Sequence, residues 1–227
     1  PATRRGPSAL RSATRHKKVF RSKKNSKNKI FDVDLRNFEA ATQLIQTQKP
    51  THILHLAWYV AHGQYWQSPQ NLEAMAMTLH LFQQFYQSGG RRFVSVGTCA
   101  EYDWTQSGPF AEFSPLVPQS VYGQVKKSTF EILNDLSNRW GISFSWARPF
   151  YPFGPGEPDA KIVPSLFRAI LNHQEMRLSG GPHVKDFIYI KDVAKILSEL
   201  LISDLKGPIN VSSGEGVSIR DLSAMAE

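Results

Sequence analysis

A single cysteine, Cys99, stands in 227 residues, so there is no partner for an internal disulfide and no Cys/His group of zinc-binding spacing. A secreted, disulfide-stapled scaffold is excluded, no metal site is expected, and the cytoplasm is the expected compartment. Long apolar runs are missing too. Ile196–Ile202, the best of them, is interrupted by Ser198 and Glu199 and is far short of the roughly 20 residues of a membrane helix. A soluble chain with no membrane partner is expected. Acidic residues are absent from positions 1–30, which hold eleven Lys and Arg and one glycine, Gly6.

That imbalance explains the net charge. The whole chain carries +8, yet positions 31–227 hold the remaining sixteen Lys and Arg against all nineteen Asp and Glu. The body is mildly acidic, and a nucleic-acid partner is not expected for it. The basic arm leaves several readings open: contact with phosphate backbones or anionic lipid, a transit-like leader, or a start that is truncated or rearranged.

What is present is enough for a packed core, with 41% hydrophobic and 11% aromatic residues. Phe38, Ala41, Leu44 and Ile45 recur at helical spacing over Phe38–Gln48, and Lys49-Pro50 stops them. Thr51–Ala57 then reads as a buried strand. Leu72–Gln87 is a long helical pattern closed by Gly89-Gly90, and Arg92–Val96 is the next strand. Tyr122–Trp140 is helical again, ended by Gly141, and Ile142–Ala147 follows as a strand. Helices separating short apolar strands predict right-handed crossovers in a parallel sheet, an α/β doubly wound, Rossmann-like fold. The expected division is a basic segment over 1–30, a nucleotide-binding domain over 31–150 and a small substrate-binding portion over 151–227, with elements missing at both ends.

Sheets of this kind bind ligands beyond the carboxyl ends of their strands. Trp58-Tyr59, Gly97–Tyr102 and Arg148–Tyr151 follow three of the strands, and Tyr122 and Lys126 stand at i and i+4 of a helix start. A phenol beside an ammonium is a usable general acid or base. An exposed helical pair at the same spacing is the plain alternative.

The ordered segments resemble a known family. Asp34-Leu35, His55–Ala57, Thr98–Tyr102, Tyr122-xxx-Lys126, Arg148-Pro-Phe with Phe153-Gly-Pro-Gly, Lys185–Val193 and Pro208–Glu215 follow one another as in the extended short-chain dehydrogenase/reductases, the nucleotide-sugar epimerase/dehydratase group. The resemblance implies NAD or NADP as cofactor, a nucleotide sugar as substrate, and a homodimer as a compatible assembly. It makes Tyr122 the proton donor and acceptor, Lys126 the holder of the nicotinamide ribose that also lowers the Tyr122 pKa, and Thr98 a hydrogen-bond donor to the same oxygen. Asp34 and Leu35 would flank the adenine, Leu56, Ala57 and Pro149 would lie against the cofactor, and Arg21 would meet an NADP phosphate. The family's opening Gly-x-x-Gly-x-x-Gly turn is not found.

Departures from the family pattern narrow the reaction. Cys99-Ala100 stand where dehydratases carry Asp-Glu, so dehydration is not expected. Cys99 is one residue from Thr98 rather than two, and Lys161 stands where a His precedes Ile-Val-Pro, so two-base epimerisation is not expected either. Reduction of a 4-keto sugar is the first reading and 4-epimerisation the alternative; a non-catalytic relative that binds a nucleotide or RNA is the reading from another class. Lys185 takes the place of a diphosphate-binding Arg, and Tyr151 that of a phosphate-contacting Asn. Lys161, Lys185, Tyr151 and Trp58 are the candidate substrate contacts, with Tyr59 and Trp104 as sugar-stacking rings or core. His55 reads as a packed strand residue, Asp34 alternatively as a helix start, and Thr98 alternatively as a turn cap.

Overall fold

The computed structural model describes residues 29–176 and 184–226. The first helix, α1 (Phe38–Gln48), begins at Asn37, whose side chain accepts the Ala40 N–H at 3.1 Å. It ends where Lys49 enters the left-handed region ahead of Pro50. Asp34 is thus not the helix cap. Strand β1 (His52–His55) runs parallel to β2 (Arg92–Val96), with His55 opposite Ser95 as the last pair. The strand is shorter than the expected Thr51–Ala57. Beyond the buried His55 the chain turns off the sheet, leaving Leu56 59% exposed, and Trp58 ties it to α2 (Gln70–Gln87) through an indole bond to Asn71 of 2.9 Å.

Helix α3 (Val121–Trp140) starts at Ser120, whose hydroxyl accepts the Gly123 N–H, and stops at Gly141 with φ 70°. It leads into β3 (Ser143–Pro149), which pairs in parallel with β2 and with β6 (Gly207–Val211). The four strands lie in the order β1-β2-β3-β6, all parallel. Side chains alternate across them. Phe93, Phe144 and Trp146 face one side and pack with Ile45, Leu81, Phe82, Phe85 and Leu133 of α1, α2 and α3. Val94, Ala147 and Val211 face the other, under Val193, Leu197 and Leu200 of α5 (Ile190–Ile202). Both faces are covered, as the doubly wound reading requires. Each large side chain removed from water contributes roughly 1.5–3 kcal/mol, so these two clusters hold the sheet.

A second sheet joins β4 (Tyr151–Phe153), β5 (Val184–Tyr189) and β7 (Gly216–Ser218). Helices α4 (Ile162–Leu171) and α6 (Ile219–Ala226) complete the elements. A division at residue 150 does not follow the sheets, because β6 and α5, both beyond it, belong to the first one. The two sheets are linked by Asp186 of β5, whose carboxylate accepts the Ser213 and Gly214 N–H groups at 2.7 and 2.8 Å just after β6. Among the described residues no helix is long and apolar enough to cross a membrane.

Candidate active site

At the carboxyl end of β2 the chain passes through Gly97 into Thr98, whose backbone is extended, and then makes a 3₁₀ turn over Cys99–Glu101. The Thr98 hydroxyl accepts the Ala100 N–H at 3.2 Å, and the Glu101 carboxylate accepts the Thr98 N–H at 2.9 Å. Thr98 therefore is a turn cap. It also lies close enough to Tyr122 to oppose the rise of the phenol's pKa, so capping and site membership coincide.

Tyr122 and Lys126 are both buried, which removes the exposed-pair reading. The Tyr122 ring is boxed by Tyr65 and Trp66 of the 3₁₀ turn Tyr65–Gln67, edge-on at centroid distances of 4.8 and 5.8 Å. Burial pushes the Tyr122 phenol well above its ordinary value, with the nearby Thr98 opposing. The expected lowering by Lys126 is not what the structure shows. The ammonium donates to the Val96 carbonyl at 2.6 Å and lies 3.6 Å from the centre of the Trp58 ring, against 5.9 Å from that of Tyr122. Lys126 itself is pulled down to about 7 by burial, with Glu101 opposing. His55 is held neutral, near 3, by burial and by Lys126, and bonds Thr78 at 2.9 Å, as a packed strand residue should.

The remaining candidates fall on two sides of Tyr122. On one side a cleft of about 370 Å³ is lined by Asp34, Leu35, Arg36, Ala57, Trp58, Tyr59, Glu73 and their neighbours. Asp34 holds Arg36 by a bidentate pair of 3.0 and 2.7 Å, which keeps its carboxyl below the usual range. Leu56 is exposed and outside the lining of this cleft, and Pro149 lies at the end of β3, paired to Val211. On the other side, Trp104 donates its indole N–H to the Cys99 carbonyl at 2.8 Å and packs edge-on against Tyr151. The Lys185 ammonium sits over the Tyr151 ring at 4.4 Å, and burial lowers its pKa. Of the candidate sugar-stacking rings, Trp58 and Tyr59 line the cleft and Trp104 packs with Tyr151, since Trp58 follows β1 and Trp104 follows β2. Lys161 heads α4 and pairs with Glu157 at 3.3 Å; among the described residues no contact brings it to Tyr122. Arg21 lies outside the described residues.

Several site-building residues escaped the sequence reading. Tyr65 and Trp66 are fixed by Asn71, fully buried, whose amide donates to the Tyr65 and Ser68 carbonyls at 2.7 and 2.9 Å. Glu101 forms a fully buried ion pair with Arg148 at 2.7 Å. A Thr-x-x-Glu capping pattern is readable in Thr98–Glu101 and points to the turn, although not to its partner on β3.

A model of the NAD dependent epimerase/dehydratase family matches residues 3–211. Among individual proteins, the chain is 27% identical over 181 residues to a UDP-glucuronate 4-epimerase of Thermodesulfobacterium geofontis, covering 76% of this chain and 54% of that one. It is 30% identical over 131 residues to a GDP-6-deoxy-D-mannose reductase of Pseudomonas aeruginosa, covering 45% of this chain and 43% of that protein. Its fold superposes on the UDP-glucose 4-epimerase of Thermus thermophilus in complex with NAD, with a TM-score of 0.72 and 23% identity over 86% of this chain and 66% of that one. The chain spans about half of the first relative's length.

Proposed function

Because the chain belongs to the NAD dependent epimerase/dehydratase family, an enzyme family, we propose that it is an NAD(P)-dependent oxidoreductase of nucleotide sugars whose reaction is 4-epimerisation. One observation carries the reading: Thr98, Tyr122 and Lys126 are all buried near the carboxyl end of β2, while Cys99 and Ala100 stand where the family resemblance places a dehydratase's acids. The Cys99 thiol, pushed up to about 12 by burial, offers no anion at neutral pH. Relatives named as 4-epimerases favour this over the 4-keto reduction that the sequence put first.

The residues present fit a dinucleotide. The cleft beside β1 is apolar enough for a flat heterocycle, with the Asp34 carboxylate in its lining as an acceptor and Trp58, which also lines it, carrying the Lys126 ammonium over its ring. NAD(P), when bound, supplies the acceptor and donor of the electron pair at C4. The protein handles the proton. Over one turnover the Tyr122 oxygen would take the C4 hydroxyl proton as the hydride leaves and return it to the ketone oxygen as the hydride comes back; burial, which favours the protonated phenol, favours the second half. The Thr98 hydroxyl, beside Tyr122, would hold that same oxygen. Tyr151, Trp104 and Lys185 on the far side present aromatic faces and one cation to the sugar and its diphosphate.

The test is incubation with NAD⁺ and either UDP-glucose or UDP-glucuronate in D₂O, followed by proton NMR. Interconversion of the C4 epimers, with protium retained at C4 and no net cofactor reduction, is expected. The similarity to the GDP-6-deoxy-D-mannose reductase supports a second reading, in which 4-keto sugar nucleotides are reduced with net consumption of NAD(P)H and epimers are not interconverted. Binding without either turnover would support the non-catalytic alternative.

A further inference from the structure

Glu101 is fully buried at the back of the site, and all of its partners are donors. Oε1 accepts the Thr98 N–H and the Trp146 indole N–H, both at 2.9 Å; Oε2 accepts Arg148 Nε at 2.7 Å and the same indole at 3.2 Å. Burial pushes the carboxyl up from its ordinary value, and Arg148, the indole and the Thr98 N–H all oppose that rise. A protonated carboxyl would need an acceptor, and none is among these contacts. Trp146 also bridges to the other side, since Lys126 Nζ lies 5.6 Å from its ring centre while its N–H edge holds Glu101. The space is closed around this arrangement. A Cβ at Gly97 would come within 2.5 Å of Glu101 Oε1, and a Cβ at Gly123 within 2.5 Å of the Ala100 carbonyl. The turn carrying Thr98 and Glu101 is therefore clamped between β3 and the start of α3, where Tyr122 stands.

We propose that Glu101 is the positioning residue of this site: an anion pinned by Arg148 and Trp146 that fixes the Thr98 backbone beside Tyr122 and serves as the counter-charge of the Lys126 ammonium. The inference rests on the proposed function only for its kinetic consequence. Arg148 neutralises Oε2, while Oε1 is tied to the Thr98 N–H and the Trp146 indole. The titratable and charged groups around Lys126 are His55 on β1, Glu101 on the turn, Tyr122 on α3, and Arg148 on β3 behind Glu101. His55 is neutral, so Glu101 is the only anion of that set. Burial pulls Lys126 down, and Glu101 opposes the fall.

The experiment compares the wild type with Glu101→Gln, which keeps the acceptors for Thr98 and Trp146 but not the charge. The double variant Glu101→Gln/Arg148→Met, in which no buried guanidinium is left unpaired, serves if the single variant does not fold. Titration is followed by ¹³Cε NMR of labelled lysine, with Lys126 assigned by its loss in Lys126→Met. The Lys126 midpoint should fall by about one pH unit or more, a tenfold or larger loss of proton affinity, while exposed lysines stay put. In the unmutated protein, ¹³Cδ NMR should show Glu101 ionised between about pH 6 and 8, well above the ordinary glutamate value. A folded variant with an unchanged Lys126 midpoint overturns the proposal, as does a protonated Glu101 in the wild type. If the protein turns over sugar nucleotides, Glu101→Gln should lower kcat more than it raises KM, and Glu101→Asp should restore the Lys126 midpoint. A shifted midpoint in a protein that turns over no sugar nucleotide would sink the functional reading and leave this one standing.

Discussion

Replacing Gly123 with Ala sets helix propensity against packing. Gly123 lies in the first turn of α3 with an ordinary helical backbone, so propensity alone says that Ala stabilises by up to about 1 kcal/mol. The structure says otherwise. The added Cβ would stand 2.5 Å from the Ala100 carbonyl oxygen and 2.9 Å from Pro118 Cβ, where ordinary contact begins at 3.4 Å. The carbonyl or the helix must move by about 0.9 Å, the difference between 3.4 and 2.5 Å, and overpacking of that size costs about 1–3 kcal/mol. Against the full propensity gain the net loss is up to about 2 kcal/mol, which lowers Tm by up to roughly 8 °C for a chain of this size. The carbonyl belongs to the turn that Thr98 caps, so the movement separates Thr98 from Tyr122. Misplacement near 1 Å costs about 10²-fold in rate. Calorimetry and a turnover assay read the two effects. A Gly123→Ala variant as stable and as active as the wild type would refute the reasoning.

Tyr122→Phe keeps the ring in its Tyr65/Trp66 box and removes only the hydroxyl, so the Tm should hardly change while turnover drops by about 10²–10⁴; wild-type turnover in this variant would exclude Tyr122 as the acid/base. His55 titrates near 6.5 when unfolded and near 3 in the fold. Its contribution is therefore fully present above about pH 6.5 and is lost as pH falls toward 3, by up to a few kcal/mol. Urea titrations of the wild type and His55→Gln at about pH 7 and pH 4.5, on either side of the unfolded value, should show the variant losing less stability over that interval, and equal losses would contradict this. Asn71→Leu strands the Trp58 indole, at about 1–3 kcal/mol for a buried group, and takes the side-chain donor from the Tyr65 and Ser68 carbonyls, which keep their backbone N–H partners. Tryptophan emission should shift to the red as the Tyr65/Trp66 wall loosens, whereas an unchanged spectrum and Tm would show that Asn71 does not hold it.

The parallel order of α1, β1, α2, β2, α3 and β3 was legible because it depends on local information. Apolar residues at a helical or a strand period, and stops at Lys49-Pro50, Gly89-Gly90 and Gly141, fix the elements without reference to distant residues. Tyr122, Lys126 and Thr98 were legible as candidates because their spacing and order resemble a family. What the sequence could not supply was direction and environment. Lys126 points at Val96 and Trp58 rather than at the phenol because burial leaves its ammonium in need of an acceptor, and the open carbonyl is on β2, thirty residues away. β6 joins the sheet of the first half because it fills the free edge of β3, a pairing between segments some sixty residues apart.

Glu101 shows the same limit most plainly. Its neighbour Thr98 stands three residues away and signals a turn, but its ion partner Arg148 and its indole donor Trp146 come from β3, 47 and 45 residues later. Local pattern determined where the turn is. Only the folding of β3 against β2 decided that a buried charge pair lies beneath it, because a carboxylate is stable out of water only where distant donors arrive together.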